Sequence, residues 1–420
     1  MELVQLSWIF LRERTVLELL GLLWFLILFD IPRYFLGFIT VFVTREAAPD
    51  GGSRTTWPGT ASVLIAGYNE EASFERCVRS LRSIGGRQME IICVDDGSTD
   101  GSFAILQSLK AAGLIDHALK VADRGGKSAA LNLAASVSRG EVLIVVDCDC
   151  TFQEDAVERL LAPFNDPRVG AVSGGVLVRN SDASIMTSLQ SIEYLFSIQL
   201  GRTLVDYFDL VTCVSGAIGA FRRSAWFDVG GMDVGPGEDF DLTLRLRQKG
   251  YRIRFAGDAV ALTDVPTTLG AFLRQRRRWE RDAARIRLRK FAFTLNPFDR
   301  RFKLAEALHQ LEFLLYSVLA AITFLFYLVW LASTEPSLLP ILLVISTAAI
   351  IVLDMITLIV AAMVIRRPEY AWLIPFVPLF APFQFMVMRN ARLLAYFEEL
   401  IFSTSRSDNF VPAKVRAWHR

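Results

Sequence analysis

Three apolar stretches constrain this chain more than any other feature, because each must be taken out of water. Leu17 to Val43, Phe313 to Leu331 and Leu338 to Ile365 are close to or above the ~20 residues that cross a bilayer as a helix. Asp30, Pro32 and Arg33 interrupt the first, the second carries no charge, and the third holds only Asp354. An ionisable group inside a span either lines a polar path or meets a neighbouring helix, and both readings stand for Asp354. The first stretch is long, starts late and lacks a small-residue cleavage site, so it reads as an anchor rather than a cleaved signal. Ala371 to Leu394 carries Pro375, Pro378 and Pro382 and either spans or enters and returns.

Charge sets the expected orientation. The turn "ASTEPS" has no Lys or Arg, whereas Arg366 and Arg367 follow the third stretch and a densely basic segment precedes the second. Positive charge stays cytoplasmic, which puts the intervening segment on the cytoplasmic side of the plasma (inner) membrane in a multi-pass protein. The basic tail (Lys414, Arg416, Arg420) favours a cytoplasmic C-terminus, as an even number of crossings after the globular segment would give. The chain therefore divides into an N-terminal anchor (1–45), a cytoplasmic globular domain (46–265), interfacial amphipathic helices (266–300), and membrane helices with a basic tail (301–420). A formal net charge of +1 gives no global basic field for nucleic acid.

The five cysteines, Cys77, Cys93, Cys148, Cys150 and Cys213, all fall in the globular segment, with no C-x-x-C spacing. No histidine stands near them to complete a zinc site, so they read as reduced thiols.

In the globular segment, short apolar runs alternate with amphipathic stretches. Strands are expected over 62–67, 90–94, 143–146 and 169–174, and helices over 71–83, 127–138 and 154–161. That alternation predicts a mixed, mostly parallel α/β sheet covered on both faces, with ligands beyond the carboxyl ends of the strands. The polar clusters fall there: Tyr68, Asn69 and Glu70 after the first strand, Asp95, Asp96 and Gly97 after the second, Asp147 and Asp149 after the third. In an extended chain residues i and i+2 point the same way, so both aspartates would face one spot and Cys148 the other side. Such a pair suits a hard divalent cation that draws further ligands from water and a substrate diphosphate. Lys127, in "RGGKSAALN", could meet that nucleotide, although the P-loop spacing is absent.

Two later motifs add to this. In "GPGEDFDLTLRLRQKGY" (235–251), Glu238, Asp239 and Asp241 open a helix, where acids are favoured by the dipole or serve as a general base. In "LRQRRRWERDAARIRLRK" (273–290), Gln275, Arg278 and Trp279 share one helical face and the other arginines crowd the rest. That helix reads as lying on anionic lipid while one face looks into the site.

Together these motifs resemble the processive membrane-bound family-2 glycosyltransferases: cellulose, hyaluronan and chitin-type synthases and the bacterial poly-N-acetylglucosamine synthase. The likeness runs from about Val63 to Trp279 and rests on "DDG" (Asp95–Gly97), D-x-D (Asp147, Asp149), "ED" (Glu238, Asp239) and Q-x-x-R-W (Gln275 to Trp279), in the family's order. The resemblance implies a glycosyltransferase A-type fold flanked by transmembrane helices, a UDP-sugar donor, and Mg2+ or Mn2+. It implies that Tyr68 and Asp96 contact uridine, that Asp149 is the principal metal ligand with Asp147 near the ribose, and that Glu70 and Lys127 lie at the donor. It further implies Asp239 as general base beside Glu238, with Gln275, Arg278 and Trp279 holding diphosphate and acceptor. "CVSGAIGAFRR" (213–223), with Ser215 and Gly216, resembles the acceptor-side motif, without the two aromatics that begin the cellulose synthase version. Together with "AGDAVALTDVP" it favours the aminosugar polymerases and UDP-N-acetylglucosamine. The implied reaction is inverting transfer to a growing β-linked polysaccharide or oligosaccharide, exported through the membrane helices. Alternatives are a β-glucan synthase using UDP-glucose, a ceramide or diacylglycerol glycosyltransferase, and a non-enzymatic receptor or transporter.

Overall fold

The computed structural model describes residues 2–32, 34–35, 56–84, 89–233 and 235–407. One eight-stranded sheet organises the globular part, in the order β3-β2-β1-β4-β7-β6-β8-β5. Its strands are β1 (Ala61–Gly67), β2 (Glu90–Asp95), β3 (His117–Lys120), β4 (Val142–Asp147), β5 (Thr151–Phe152), β6 (Val169–Val178), β7 (Ile218–Arg222) and β8 (Arg252–Thr263). The first four are parallel neighbours, joined by helices that shield apolar strands on both faces. Helix Phe74–Ser83 exemplifies the pattern: Phe74, Cys77, Val78 and Leu81, at helical spacing, are its buried residues. The expected strands and helices thus form within a few residues of their predicted bounds.

The second half departs from a parallel arrangement. β7 inserts antiparallel between β4 and β6. β6 and β8 then pair in parallel, and β5 closes the edge antiparallel to β8. β3, β5, β7 and β8 were not expected from the sequence. All ten residues of β6 are buried, so the strand runs on through Val178 rather than ending at 174.

After the sheet come three helical stretches long and apolar enough to cross a membrane: Leu304–Thr334, Leu339–Val364 and Pro368–Phe402. Ala371 to Leu394, read as either spanning or entering and returning, lies within the third, one continuous helical stretch. A 3-10 segment over Pro368–Phe376 and a π segment over Phe383–Met388 accommodate its prolines. The described residues thus carry three such stretches after the domain. At the N-terminus, helices Glu2–Glu13 and Val16–Leu22 meet at Thr15, whose hydroxyl and Glu18 form a reciprocal capping box. The expected first span starts here. Its residues Arg33 and 36–43, like the basic tail at Lys414, Arg416 and Arg420, lie outside the described residues.

The charge inside that first stretch has a partner. Asp30 is buried and accepts from Arg389 Nη2 at 2.8 Å, and the Arg389 guanidinium lies 4.6 Å from the ring centre of Phe324. Asp354 is also buried and accepts from Tyr34 Oη at 2.7 Å.

The sheet domain and membrane helices are joined by a buried ion pair. Arg247, near the end of helix Glu238–Lys249, meets Glu306, in the first turn of helix Leu304–Phe313, at 2.6 Å, with each side chain 7% exposed. Arg247 also donates to the carbonyl of Asp209 at 2.7 Å, and Lys303 Nζ donates to the carbonyl of Arg247 at 2.7 Å. Removing one member of such a pair strands a buried charge at a cost of about 3–5 kcal/mol, whereas replacing both with apolar residues is often neutral. E306Q should lower the melting temperature of the detergent-solubilised protein clearly, and R247M/E306L should recover most of the loss. An unchanged melting temperature in E306Q would show that the pair does not hold the two parts together.

Candidate active site

Chain order reverses around β1, with β2 on one side and β4 on the other, which opens a crevice at their carboxyl ends. Three loops meet there. After β1, Asn69 takes a left-handed backbone (φ 58°), and its side-chain oxygen accepts from Thr99 N–H at 2.9 Å, tying the first loop to the second. Glu70 N–H donates to Ser102 Oγ at 2.8 Å. The Arg124 guanidinium lies 4.0 Å from the centre of the Tyr68 ring. After β2, Asp96 is 3% exposed, and its two carboxylate oxygens accept from the Gly125 and Gly126 N–H groups, each at 2.7 Å. Asp96 thereby fixes the glycine loop that leads into helix Lys127–Val137.

At Asp147 the structure corrects the sequence reading. β4 ends at that residue, and the chain turns, with Cys150 N–H donating to the Asp147 carbonyl at 3.2 Å. The two aspartates therefore come together through a turn and not through strand alternation. Nor does Cys148 stand apart from the acids: burial first, and then the charges of Glu70, Asp147 and Asp149, push its thiol well up. Cys148 and Cys150 are buried in the apolar core, and all five cysteines are free thiols. The Asp149 carboxyl is held above the usual aspartate range, first by burial and then by the charge of Asp147. Burial likewise raises Glu70, with Asp149 and Asp147 adding to it.

Lys127 is the cation among these acids. Its ammonium is 2.5 Å from Asp147 Oδ1 and 3.7 Å from Glu238 Oε1. Burial disfavours the charge, yet Asp147, Glu238 and Asp239 together hold Lys127 above the ordinary lysine value. Glu238 is raised by burial, which Lys127 only partly offsets. Glu238 and Asp239 open helix Glu238–Lys249 after Gly237, whose φ of 76° and lack of a Cβ let the chain pass Ile286, since a Cβ there would stand 2.7 Å from Ile286 Cδ1. Asp239 Oδ1 accepts from Phe240 N–H at 2.7 Å, so its other oxygen, Oδ2, is aimed by its own helix terminus. Opposite stands Gly216: a Cβ there would fall 2.9 Å from Lys127 Nζ, 3.7 Å from Asp239 Oδ2 and 3.8 Å from Asp147 Oδ2.

Antiparallel β7 delivers that glycine. The loop before it is pinned by Ser173 in β6, whose Oγ accepts from Ser215 N–H at 3.1 Å and from Arg202 Nη1 at 2.9 Å. Cys213 Sγ lies 3.9 Å from Asp239 Oδ2. Sequence reasoning missed Ser173, Arg202, Arg124 and this role of Cys213. Arg124 alone had a local signal, its place in "RGGK".

Gln275, Arg278 and Trp279 lie on helix Leu269–Arg285. Trp279 is 39% exposed, with the Arg276 guanidinium 4.6 Å from its ring centre. Gln275 Oε1 is buried with no hydrogen-bond partner among the described residues. The helix reaches the acid loop through Arg285, whose Nη2 donates to the Pro236 carbonyl at 2.5 Å. Two of its arginines, expected to face lipid, meet protein carboxylates instead. Arg276 pairs with Glu193 at 2.7 Å, and Arg277 pairs with Glu398. Glu280 accepts from Arg392 at 2.9 Å and from Tyr396 Oη at 2.8 Å. The helix is thus clamped to Arg389–Phe402, because the charged end of that apolar stretch needs partners of its own.

A cavity of about 420 Å³ opens between the domain and the membrane helices. Asp30, Glu193, Arg202, Asp354, Arg389 and Arg392 contribute its charged lining, with Phe196, Tyr316, Phe380 and Phe385 among its aromatic residues.

Residues 62–227 match the model of the glycosyl transferase family 2 domain. The chain is 30% identical over 243 residues to the poly-beta-1,6-N-acetyl-D-glucosamine synthase of Staphylococcus aureus (strain COL), which is 57% of this chain and 58% of that relative. To the synthase of the same name from Staphylococcus epidermidis it is 30% identical over 239 residues, 56% of this chain and 57% of that one. The chain thus matches less than two thirds of the length of these relatives. Among solved structures, it shares its fold with the mannosyltransferase PcManGT from Pyrobaculum calidifontis, solved in complex with GDP-Man and Mn2+. There the TM-score is 0.56 and the identity 18%, with 91% of this chain and 99% of that one covered. The fold is the glycosyltransferase A type with membrane helices after it.

Asp96 yields a test that needs no substrate. D96A removes both acceptors for the Gly125 and Gly126 N–H groups, at an expected cost of about 1–3 kcal/mol. Hydrogen exchange should speed up at residues 124–127 and remain unchanged in β4. Unchanged protection at 124–127 would remove Asp96 as the loop's anchor.

Proposed function

Because this chain carries a glycosyltransferase family 2 domain, we propose that it transfers a sugar, read as N-acetylglucosamine, from its UDP donor to a growing β-linked glycan with inversion at the anomeric carbon. One observation carries this reading: Lys127, Asp147, Glu238, Asp239 and Gly216 meet in one space although four separate segments supply them. The aminosugar is supported by the likeness to relatives named as poly-beta-1,6-N-acetyl-D-glucosamine synthases.

The donor nucleotide is assigned to the crevice beyond β1, β2 and β4, with Tyr68 and Asp96 toward the uracil and Glu70 near the diphosphate. Asp147 and Asp149 suit a divalent cation, Mg2+ or Mn2+: the Asp149 carboxyl, raised first by burial and then by the charge of Asp147, gains from a counter-charge placed between them. Among the described residues no group of three or more His, Cys, Asp or Glu side chains is arranged to hold a metal, so an ion on Asp147 and Asp149 would need phosphate and water to complete its sphere. When bound, that ion supplies neutralisation of the charge that develops on the leaving diphosphate.

Asp239 is the general base. Its Oδ1 is fixed by Phe240 N–H, and its Oδ2 faces Gly216, the side to which we assign the acceptor hydroxyl. The hydroxyl oxygen forms a bond to the anomeric carbon from the face opposite the diphosphate. The carbon–phosphate-oxygen bond breaks with its electron pair, and the proton passes to Asp239. Gln275, Arg278 and Trp279 are assigned to the diphosphate and acceptor, on the helix that also braces the acid loop. We place the sheet domain on the cytoplasmic face, on the strength of the charge distribution around the apolar stretches.

Purified protein with UDP-N-acetylglucosamine and Mg2+ or Mn2+ should release UDP and form a ladder of oligosaccharides. D239N should lower turnover by ~100-fold or more, the range for loss of a general base. A single sugar added to a lipid would instead favour a lipid acceptor, and full turnover by D239N would overturn the base assignment. Export is supported by the cavity between the domain and the membrane helices, which Arg202 links through Ser173 to the Ser215–Gly216 loop. In sealed vesicles the polymer should become protected from added glycosidase, and polymer found wholly on the donor side would end the export reading.

A further inference from the structure

The place of Lys127 bears on the order in which the site fills. Its ammonium sits 2.5 Å from Asp147 Oδ1, on one of the two carboxylates assigned to the divalent cation. The root of the side chain is fixed, since Lys127 opens helix Lys127–Val137 directly after the Gly125–Gly126 turn held by Asp96. Its head is not: the ammonium is a compact point charge on a flexible four-carbon stem. A second acid, Glu238 at 3.7 Å, offers it another position within the same space. A divalent ion and this ammonium cannot share Asp147 without strong like-charge repulsion. A diphosphate brings several negative charges, and an ammonium is a good point-charge partner for phosphate.

We propose that Lys127 is an internal counter-ion of Asp147 that keeps the divalent cation from binding tightly until a nucleoside diphosphate draws the ammonium away. Metal and nucleotide then enter together. This rests on the reading of Asp147 and Asp149 as the metal pair. Lys127 is in this respect a positioning residue for the cation, in addition to any contact with phosphate.

The test is direct Mn2+ binding to the full-length protein in detergent, with free Mn2+ followed by electron paramagnetic resonance, with and without UDP. Wild type should bind Mn2+ weakly alone and at least about tenfold more tightly with UDP, a coupling of about 1.4 kcal/mol. Without UDP, K127Q should bind Mn2+ at least about tenfold more tightly than wild type, and its dependence on UDP should shrink. K127R, which keeps the charge, should behave as wild type. Equal Mn2+ affinity of wild type with and without UDP overturns the proposal, with no need for a folded variant. So does a K127Q affinity without UDP no tighter than wild type, or a gain in K127R equal to that of K127Q. If wild type binds no Mn2+ even with UDP, the metal reading itself fails, which is a different result.

Discussion

Asp147 and Glu238 come from opposite halves of the domain, and neither could stand near the other without a cation between them. The Lys127 ammonium is that cation. Like charges brought together under partial burial repel strongly and shift toward protonation. One positive side chain therefore decides whether the carboxylates ending β4 and those opening helix Glu238–Lys249 can face a common space. Asp96 holds the loop from which Lys127 extends, and Gly216 leaves room for its head. Much of the remaining architecture reads as a means of delivering these few groups to one point.

The same principle joins the domain to the membrane helices. Arg247 and Glu306 tie the far end of the acid helix to the start of the first C-terminal apolar stretch. The basic helix Leu269–Arg285 is bound through Glu280, Arg392 and Tyr396 to the last one, and through Arg285 to the loop before Glu238. Glu238–Lys249 is thus held at both ends by elements that contact the membrane helices.

Parts of this were legible in the sequence. β1, β2 and β4 are continuous apolar runs ending in acids or in glycine, which is the signature of a strand buried on both faces with polar chemistry at its tip. Helix Ile185–Tyr194 was not legible, because it buries Thr187, Ser188, Gln190, Ser191 and Glu193 and so shows no apolar stripe. β7 is five residues long with a glycine inside, and β8 interleaves arginines and an aspartate with its apolar positions. The aspartates of the D-x-D segment were recognised as a pair for a reason that the turn at Asp147 replaces.

Hydrophobic run length, turn chemistry and motif order are local properties, and what they govern can be read before the chain folds. These are the apolar stretches, the parallel first half of the sheet, the polar clusters at strand ends and the family the motifs point to. The tertiary structure decided what depends on contacts between distant segments. It set β7 antiparallel between β4 and β6, which carries Gly216 to Asp147. It gave Lys127 to Asp147 and Glu238 at once, and it turned arginines expected at lipid toward Glu193 and Glu398. Ion pairing is chosen by proximity in space, and an Arg, Lys or Asp in a sequence carries no local mark of which opposite charge the fold will bring to it.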